Sequence, residues 1–356
     1  MSQSRTWFEE LFGFAEEGNH SYHDVQSMFE MRGTQLTSIA NGRSFNAGTF
    51  TTPTLQELRR KGRRALRSSS ARGQRRHGVH VTHTTVADIM SMHYEYPGAV
   101  FQAASQFNCL EFPDPGTTPE HGITQYAFDN TQGPACALAC AAGTVLRNYL
   151  VKMPGGGRGQ TAARQLNMLD ELEEAVDNGA RKYFLVKNGY ITSTSRKLAA
   201  LANVLSEDMD ALVKVGLHEG VGVTFSGRTH GRYIQPSGAP TQVTQVYCSA
   251  VSIGYSGIAA REWELLAYVV LDAIYEATLW AAVLNAQLTG VRQVFLTFVG
   301  GGVFANPKSW IAASIGRAVQ ALNAAGADLD VHVCHYRTVD GHMARMIDAA
   351  CSHVST

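Results

Sequence analysis

Three consecutive glycines, Gly300–Gly301–Gly302, stand in "FVGGGVFANPKSW" between an apolar run and a Pro-led helical pattern. The run ending at Val299 predicts a buried strand, and "NPKSWIAASIGRAVQALNAA" predicts a helix that begins near Pro307. A glycine turn at such a junction either reverses the chain or lets backbone N–H groups close on an anion favoured by the helix dipole. It is not a Walker A loop, because Lys308 lacks the preceding glycine and no GKS or GKT occurs. Two more polar residues follow strand patterns. Asp88 comes after "VHVTHTTV" (79–86) and reads as a turn or cap aspartate, or as an acceptor for an exocyclic amine. Asn108 closes "AVFQAASQFN" (99–108) and reads as a strand-ending turn residue, or as a partner for a sugar hydroxyl. The loop 109–134 carries Glu111, Asp114, Glu120 and Asp129, each of which alone reads as a solvated loop acid.

The elements that must position these residues form a regular pattern. The chain has 356 residues, 45% of them hydrophobic, and a formal net charge of +0. That is enough for a large core, as one α/β domain or two smaller ones. Residues 5–32 read as amphipathic helix, 79–86 and 99–108 as strands, and 134–151 as a helix of small residues with Pro at its start. Residues 161–176 and 195–218 read as helices, 220–225 as a strand, 259–287 as a long buried helix and 329–336 as a closing strand. Apolar strands alternating with helices of ten or more residues mean a layered α/β fold with helices on both faces.

Charge is balanced overall but not locally. Between Arg59 and Arg76 stand nine basic residues and no acid. This stretch reads as a solvated arm, or as a patch for nucleic acid, an acidic partner or nuclear import. No aromatic residue interleaves it, so base stacking is not indicated. A soft boundary falls near Gly78. No run of 18 uncharged apolar residues predicts a membrane span, and the acidic start does not read as a signal peptide. Six cysteines without a CxxC pair point to reduced thiols and a cytoplasmic or nuclear protein. No HExxH or Cys/His cluster predicts a metal, and no GxSxG elbow predicts acyl transfer. His93 and His121 read as packed or surface histidines rather than bases.

Taken in order, "VADIMSM", "AVFQAASQFN" and "GGGVFANP" resemble the macrodomain family over roughly residues 79–336. Gly302, Val303, Phe304 and Pro307 keep the spacing of the family's late loop. The resemblance implies a three-layer α/β/α fold with a mixed, mostly parallel central sheet over 79–356, preceded by an N-terminal helical extension, 1–78, with the basic segment 59–76. It implies ADP-ribose as ligand and neither metal nor cofactor. Asp88 would accept the adenine amine, with the Ile89 N–H nearby. Gly300, Gly301, Gly302, Val303 and Phe304 would wrap the diphosphate, with Asn306 in the same loop. Asn108, Gln132 and Gly133 would contact the distal ribose and phosphate, and Tyr336 reads as an adenine-side or plain core tyrosine. The chain departs from the family where the usual glycine-rich first loop is replaced by "YAFDNTQGPACA" and where Ala305 replaces a frequent glycine.

"FNCLEFPDPGTTPEHGITQYAFDNTQGPACA" and the N-terminal "WFEELFGF" look like the divergent branch of the bacterial effector MavL and its eukaryotic relatives, which remove ADP-ribose from arginine. Cleaving that N-glycosidic bond passes through an oxocarbenium-like state that a carboxylate stabilises, while a carboxylate also activates water. The expected catalytic acids are Asp129 first, then Glu120 and Glu111. The expected partners are ADP-ribosylated proteins, with nucleic acid weakly through 59–76 and no membrane. The alternative is a non-catalytic reader of ADP-ribose.

Overall fold

The computed structural model describes residues 6–18, 20–71 and 77–352. The central sheet has seven strands: β1 (Thr49–Thr51), β2 (Val79–Val86), β3 (Val100–Ala104), β4 (Gly216–Gly222), β5 (Gln242–Cys248), β6 (Gln293–Leu296) and β7 (Leu329–Tyr336). Their order is β1-β4-β5-β3-β6-β7-β2. The run β5-β3-β6-β7-β2 is parallel throughout, and β4 is antiparallel to both of its neighbours. Five parallel strands therefore end on one edge of the sheet, with Tyr336 paired to Val86 at one end.

Helices α1 (Leu55–Ala71), α2 (Ile89–Glu95), α3 (Gln132–Ala139), α4 (Ala141–Val145), α5 (Ala260–Thr289), α6 (Lys308–Ala324) and α7 (Gly341–Ser352) cover the sheet. Successive residues of β3 show which helices lie on which face, because side chains alternate along a strand. Phe101 stacks on His93 of α2 at 3.9 Å. Gln102 donates from Nε2 to Thr278 of α5 at 3.1 Å. The fold is thus a three-layer α/β/α sandwich, with α5, α1, α6 and α7 on one side and α2, α3 and α4 on the other. Helix α5 is long and apolar enough to cross a membrane by length and composition, and most of it is enclosed within the fold.

The basic stretch is helical as far as Ala71, and residues 72–76 lie outside the described part. Leu58, Gly62 and Leu66 recur every four residues on the buried side of α1. A Cβ on Gly62 would stand 2.1 Å from the Trp280 ring of α5, so glycine is what permits this close packing. Arg59 turns inward to Asp210 at 2.8 Å and Glu276 at 2.6 Å. Arg60, Arg63, Arg64 and Arg67 face solvent. The described residues before Val79 pack on the same core, since they supply β1 as well as α1.

Several expected elements are shorter or different. Within 5–32 the helix stops at Gly13, whose φ of 83° makes a left-handed cap, and a second short helix (Tyr22–Ser27) gives way to a hairpin turning at Gly33. Only Asp170–Ala175 is helical in 161–176. Upstream, side chains capture the backbone instead: Gln160 accepts from the Leu166 N–H and Asn167 from the Leu169 N–H. The helix expected over 195–218 ends at Leu201, and β4 begins at Gly216, before the expected 220. The final helix, α7, carries no expectation from the sequence.

Candidate functional site

A cleft runs across the carboxyl ends of β2, β7, β6 and β3, the place where parallel α/β sheets bind ligands. It has two chambers. The larger, about 480 Å³, is lined by Asp88, Ile89, Leu138, Tyr233, His335 and Tyr336, among others. The smaller, about 360 Å³, is lined by Glu111, Gly133, Tyr190, Tyr255 and the loop from Thr297 to Phe304. Asp129, Gln132 and Thr297 line both and mark the junction.

Asp88 caps α2. Its Oδ1 accepts from the Met90 N–H at 2.9 Å, and Oδ2 lies toward Gly227 at the mouth of the larger chamber. Ile89 begins α2, so its N–H is one of those a helix leaves without an internal partner. Tyr336 stands on the rim of this chamber, 69% exposed.

The glycine loop is held from behind. Gly300 has φ 78°, and a Cβ there would meet Ala250 at 2.4 Å. Asn306 is buried. Its Nδ2 donates to the Val251 carbonyl at 2.8 Å and reaches those of Gly300 and Phe304. Asn306 therefore shapes the loop and does not line the cleft. Gly301 faces Ile311 and does not line it either. The N–H groups of Gly302, Val303 and Phe304 make no hydrogen bond within the described residues, whereas those of Gly301, Ala305 and Asn306 close the turn. Three successive backbone N–H groups without an internal partner thus stand on the loop that lines the smaller chamber, the kind of group an anion uses. Ala305 adopts φ 56°, a left-handed conformation unfavourable for a residue with a Cβ.

The acids of the loop separate in space. Asp129 follows the 3-10 turn Thr124–Phe128, and its Oδ1 accepts from the Thr131 N–H at 2.8 Å. Glu111 is 3% exposed. Its Oε2 lies 3.4 Å from Arg147, and its Oε1 has no partner in the protein. Burial pushes the Glu111 carboxyl up to about 7, against the pull of Arg147 and of Tyr126. Glu120 lies off the cleft, where both carboxylate oxygens accept from the Ala162 N–H. Asp114 forms a turn with the N–H groups of Gly116 and Thr117. Asn108 is wholly buried: Nδ2 donates to Gln165, and Oδ1 accepts from the Leu110 N–H and packs against Gly189. Asn108 and Glu120 are both expected at the sugar, but Gln165 and the Leu110 N–H hold the first and the Ala162 N–H holds the second.

Gln132 and Gly133 fasten α3 to the end of β3. The Gln132 side chain accepts from the Ala104 N–H and donates to the Gln102 carbonyl, both at 2.8 Å. A Cβ on Gly133 would lie 2.0 Å from the Ala104 carbonyl oxygen. His93 is buried against Phe101, and burial lowers it to about 4, so it stays neutral in the core. His121 closes a turn onto Thr118.

Arg228, Tyr233, Tyr190 and Tyr255, which the sequence did not single out, also line the cleft. Arg228 and Tyr233, from the polar loop after β4, line the larger chamber. Tyr190, Tyr255 and Phe304 form a three-ring cluster at the smaller one, with centroids 5.2–5.8 Å apart. Burial, with Tyr255 and the acids Asp114 and Asp129 nearby, pushes the Tyr190 hydroxyl up. The one legible signal was Arg147, a lone charge in the apolar run "AAGTVLRNYLV".

No protein-family model and no curated protein matches the chain. Among solved structures it is similar to poly(ADP-ribose) glycohydrolase from Deinococcus radiodurans in complex with ADP-ribose, at 15% identity over 85% of this chain and 93% of that one, TM-score 0.43. It is likewise similar to poly(ADP-ribose) glycohydrolase from Thermomonospora curvata, at 14% identity over 89% and 93% of the two chains, TM-score 0.40.

Proposed function

We propose that this protein binds ADP-ribose in the two-chambered cleft and hydrolyses it from arginine side chains of proteins. The observation that carries the reading is one continuous cleft with an amine acceptor at one end, a free N–H nest at the other and two carboxyl groups beside the nest. Adenine enters the larger chamber, where Asp88 accepts from its amine and the Ile89 N–H faces a ring nitrogen. The diphosphate rests on the N–H groups of Gly302, Val303 and Phe304, with Gly300 giving the turn its shape. The distal ribose lies over Gln132 and Gly133.

The anomeric carbon then faces Asp129 and Glu111. Cleavage breaks the C–N bond as positive charge builds on the sugar, and Asp129 stabilises that charge. Water adds to the carbon, Glu111 takes its proton, and the guanidine leaves with the bond's electron pair and receives that proton from Glu111, which regains its charge. A carboxyl near 7 is suited to exchanging protons at neutral pH. The arginine linkage is supported by the chemistry of the smaller chamber: aromatic faces beside carboxylates suit a planar cation.

The test is incubation with arginine-, serine- and glutamate-linked ADP-ribosyl peptides, read by mass spectrometry. Release from the arginine peptide is expected, and release from none sinks the enzyme reading. Binding without release leaves the reader. A charge placed in the nest probes the binding mode separately. Gly302 has open space around it, so Gly302→Glu is accommodated by the fold. It should weaken ADP-ribose about 30- to 100-fold by calorimetry, because the new carboxylate opposes the diphosphate. An unchanged affinity places the diphosphate elsewhere.

A further inference from the structure

Arg147 is wholly buried in the turn that follows α4. Its Nε donates to the Cys109 carbonyl at 3.0 Å, and Nη2 donates to Thr144 at 3.2 Å and reaches Glu111 Oε2 at 3.4 Å. Nη1 lies 3.4 Å from His218 Nδ1. His218 Nε2 donates to the Ala47 carbonyl, so Nδ1 carries the lone pair that faces the arginine. The guanidinium rests 3.6 Å over the Tyr247 ring, and the Tyr247 hydroxyl donates to Gln245 at 2.6 Å. Every side of the cation is therefore fixed, and it meets one acid.

Burying a charged pair is costly, and a stability role alone does not explain the arrangement. One oxygen of Glu111 is held by Arg147. The other is buried and unpaired, on a residue that lines the smaller chamber. We infer that Arg147 is a positioning residue for Glu111: it grips Oε2 from behind and leaves Oε1 turned to the cleft as the atom that meets the ligand. This rests on the role given to Glu111 above. The other titratable groups around the carboxyl are Tyr126, Tyr247, Cys109 and Cys136, all buried and neutral at neutral pH, while burial and Arg147 hold His218 uncharged. Arg147 is thus the only cation at ion-pair distance from Glu111 among the described residues.

Two readouts on the full chain test this. One is the titration of the Glu111 carboxyl, followed by 13C NMR of glutamate-labelled protein and assigned by its loss in Glu111→Gln. The other is the acid limb of the pH–rate profile on an ADP-ribosyl-arginine peptide. Arg147→Met should move the titration up by at least about one pH unit, because the opposing charge is gone. The acid limb should follow, so turnover falls at least about fivefold at pH 7 and recovers at higher pH. Arg147→Lys keeps the charge without the planar fork and should fall between the two. It also serves if Arg147→Met does not fold, and it should then move the titration up by about half a unit. A Glu111 titration unchanged in the folded variants overturns the inference. A shifted titration in a protein that releases nothing from any linkage upholds the Arg147–Glu111 coupling and removes the hydrolase reading instead.

Discussion

Asp129→Ala should lower turnover of ADP-ribosyl-arginine by about 10²–10⁴-fold, the span of a lost catalytic carboxylate, and leave ADP-ribose affinity nearly unchanged. Asp129 stands at the junction of the two chambers, whereas Asp88 and the N–H nest lie to either side of it. Its charge matters most when the sugar carries positive charge, which the bound ground state lacks, so kcat falls and Kd does not. The side chain also has a structural role, since Oδ1 accepts from the Thr131 N–H at the start of α3. Losing that bond costs about 1 kcal/mol and shifts Gln132 and Gly133. Asp129→Asn separates the two roles, since it retains an acceptor oxygen and drops the charge. If Asn is as inactive as Ala, the charge is what counts. If Asn is nearly as active as the native protein, the loss in Ala belongs to the turn. Full turnover in both variants removes Asp129 from the chemistry.

Glu111→Gln should flatten the pH dependence of stability between pH 4.5 and 8. The folded carboxyl is raised to about 7 from an ordinary 4.5, with burial as the main cause. A raised acid favours the folded state while it is protonated. Its contribution is fully present below pH 4.5 and is lost as pH rises through about 7. The native protein should therefore lose on the order of 3 kcal/mol relative to Glu111→Gln across this interval. Urea unfolding of both proteins at several pH values measures the difference. Glu111→Gln also leaves Arg147 without its acid, a cost that offsets the curve but does not slope with pH, because arginine stays charged throughout. Parallel curves for the two proteins would mean that Glu111 titrates normally in the fold. The same carboxyl should give the acid limb of turnover near pH 7, since the base role proposed for Glu111 needs it ionised.

Much of the scaffold was legible because it rests on local pattern. The β2, β3, β6 and β7 runs alternate or are uniformly apolar, and α5 and α6 are long enough to outweigh local exceptions. The errors came where side chains compete for the backbone. The stretch 161–169 is rich in helix formers, yet Gln160 and Asn167 bind its N–H groups and hold it irregular. The basic stretch looked solvated because its charges dominate its composition. Leu58, Gly62 and Leu66 give it a buried stripe that shows only once α5 lies against it.

For the site, the sequence by itself determined which residues can follow the strand ends: Asp88 after β2, the three glycines after β6, and the acids after β3. Order along the chain places them on one edge of the sheet, because parallel strands share a direction. Tertiary structure decided which of them face the cleft. Asp129 and Glu111 reach it, while Glu120 and Asn108 are drawn off by Ala162, Gln165 and Leu110. A loop of many residues can fold back in many ways, and hydrogen bonds to partners up to 57 positions away select one. The pairing of Glu111 with Arg147 is likewise beyond any local pattern. It exists because two chain segments close over a buried volume of low polarity, where a carboxylate persists only if a cation is fixed beside it.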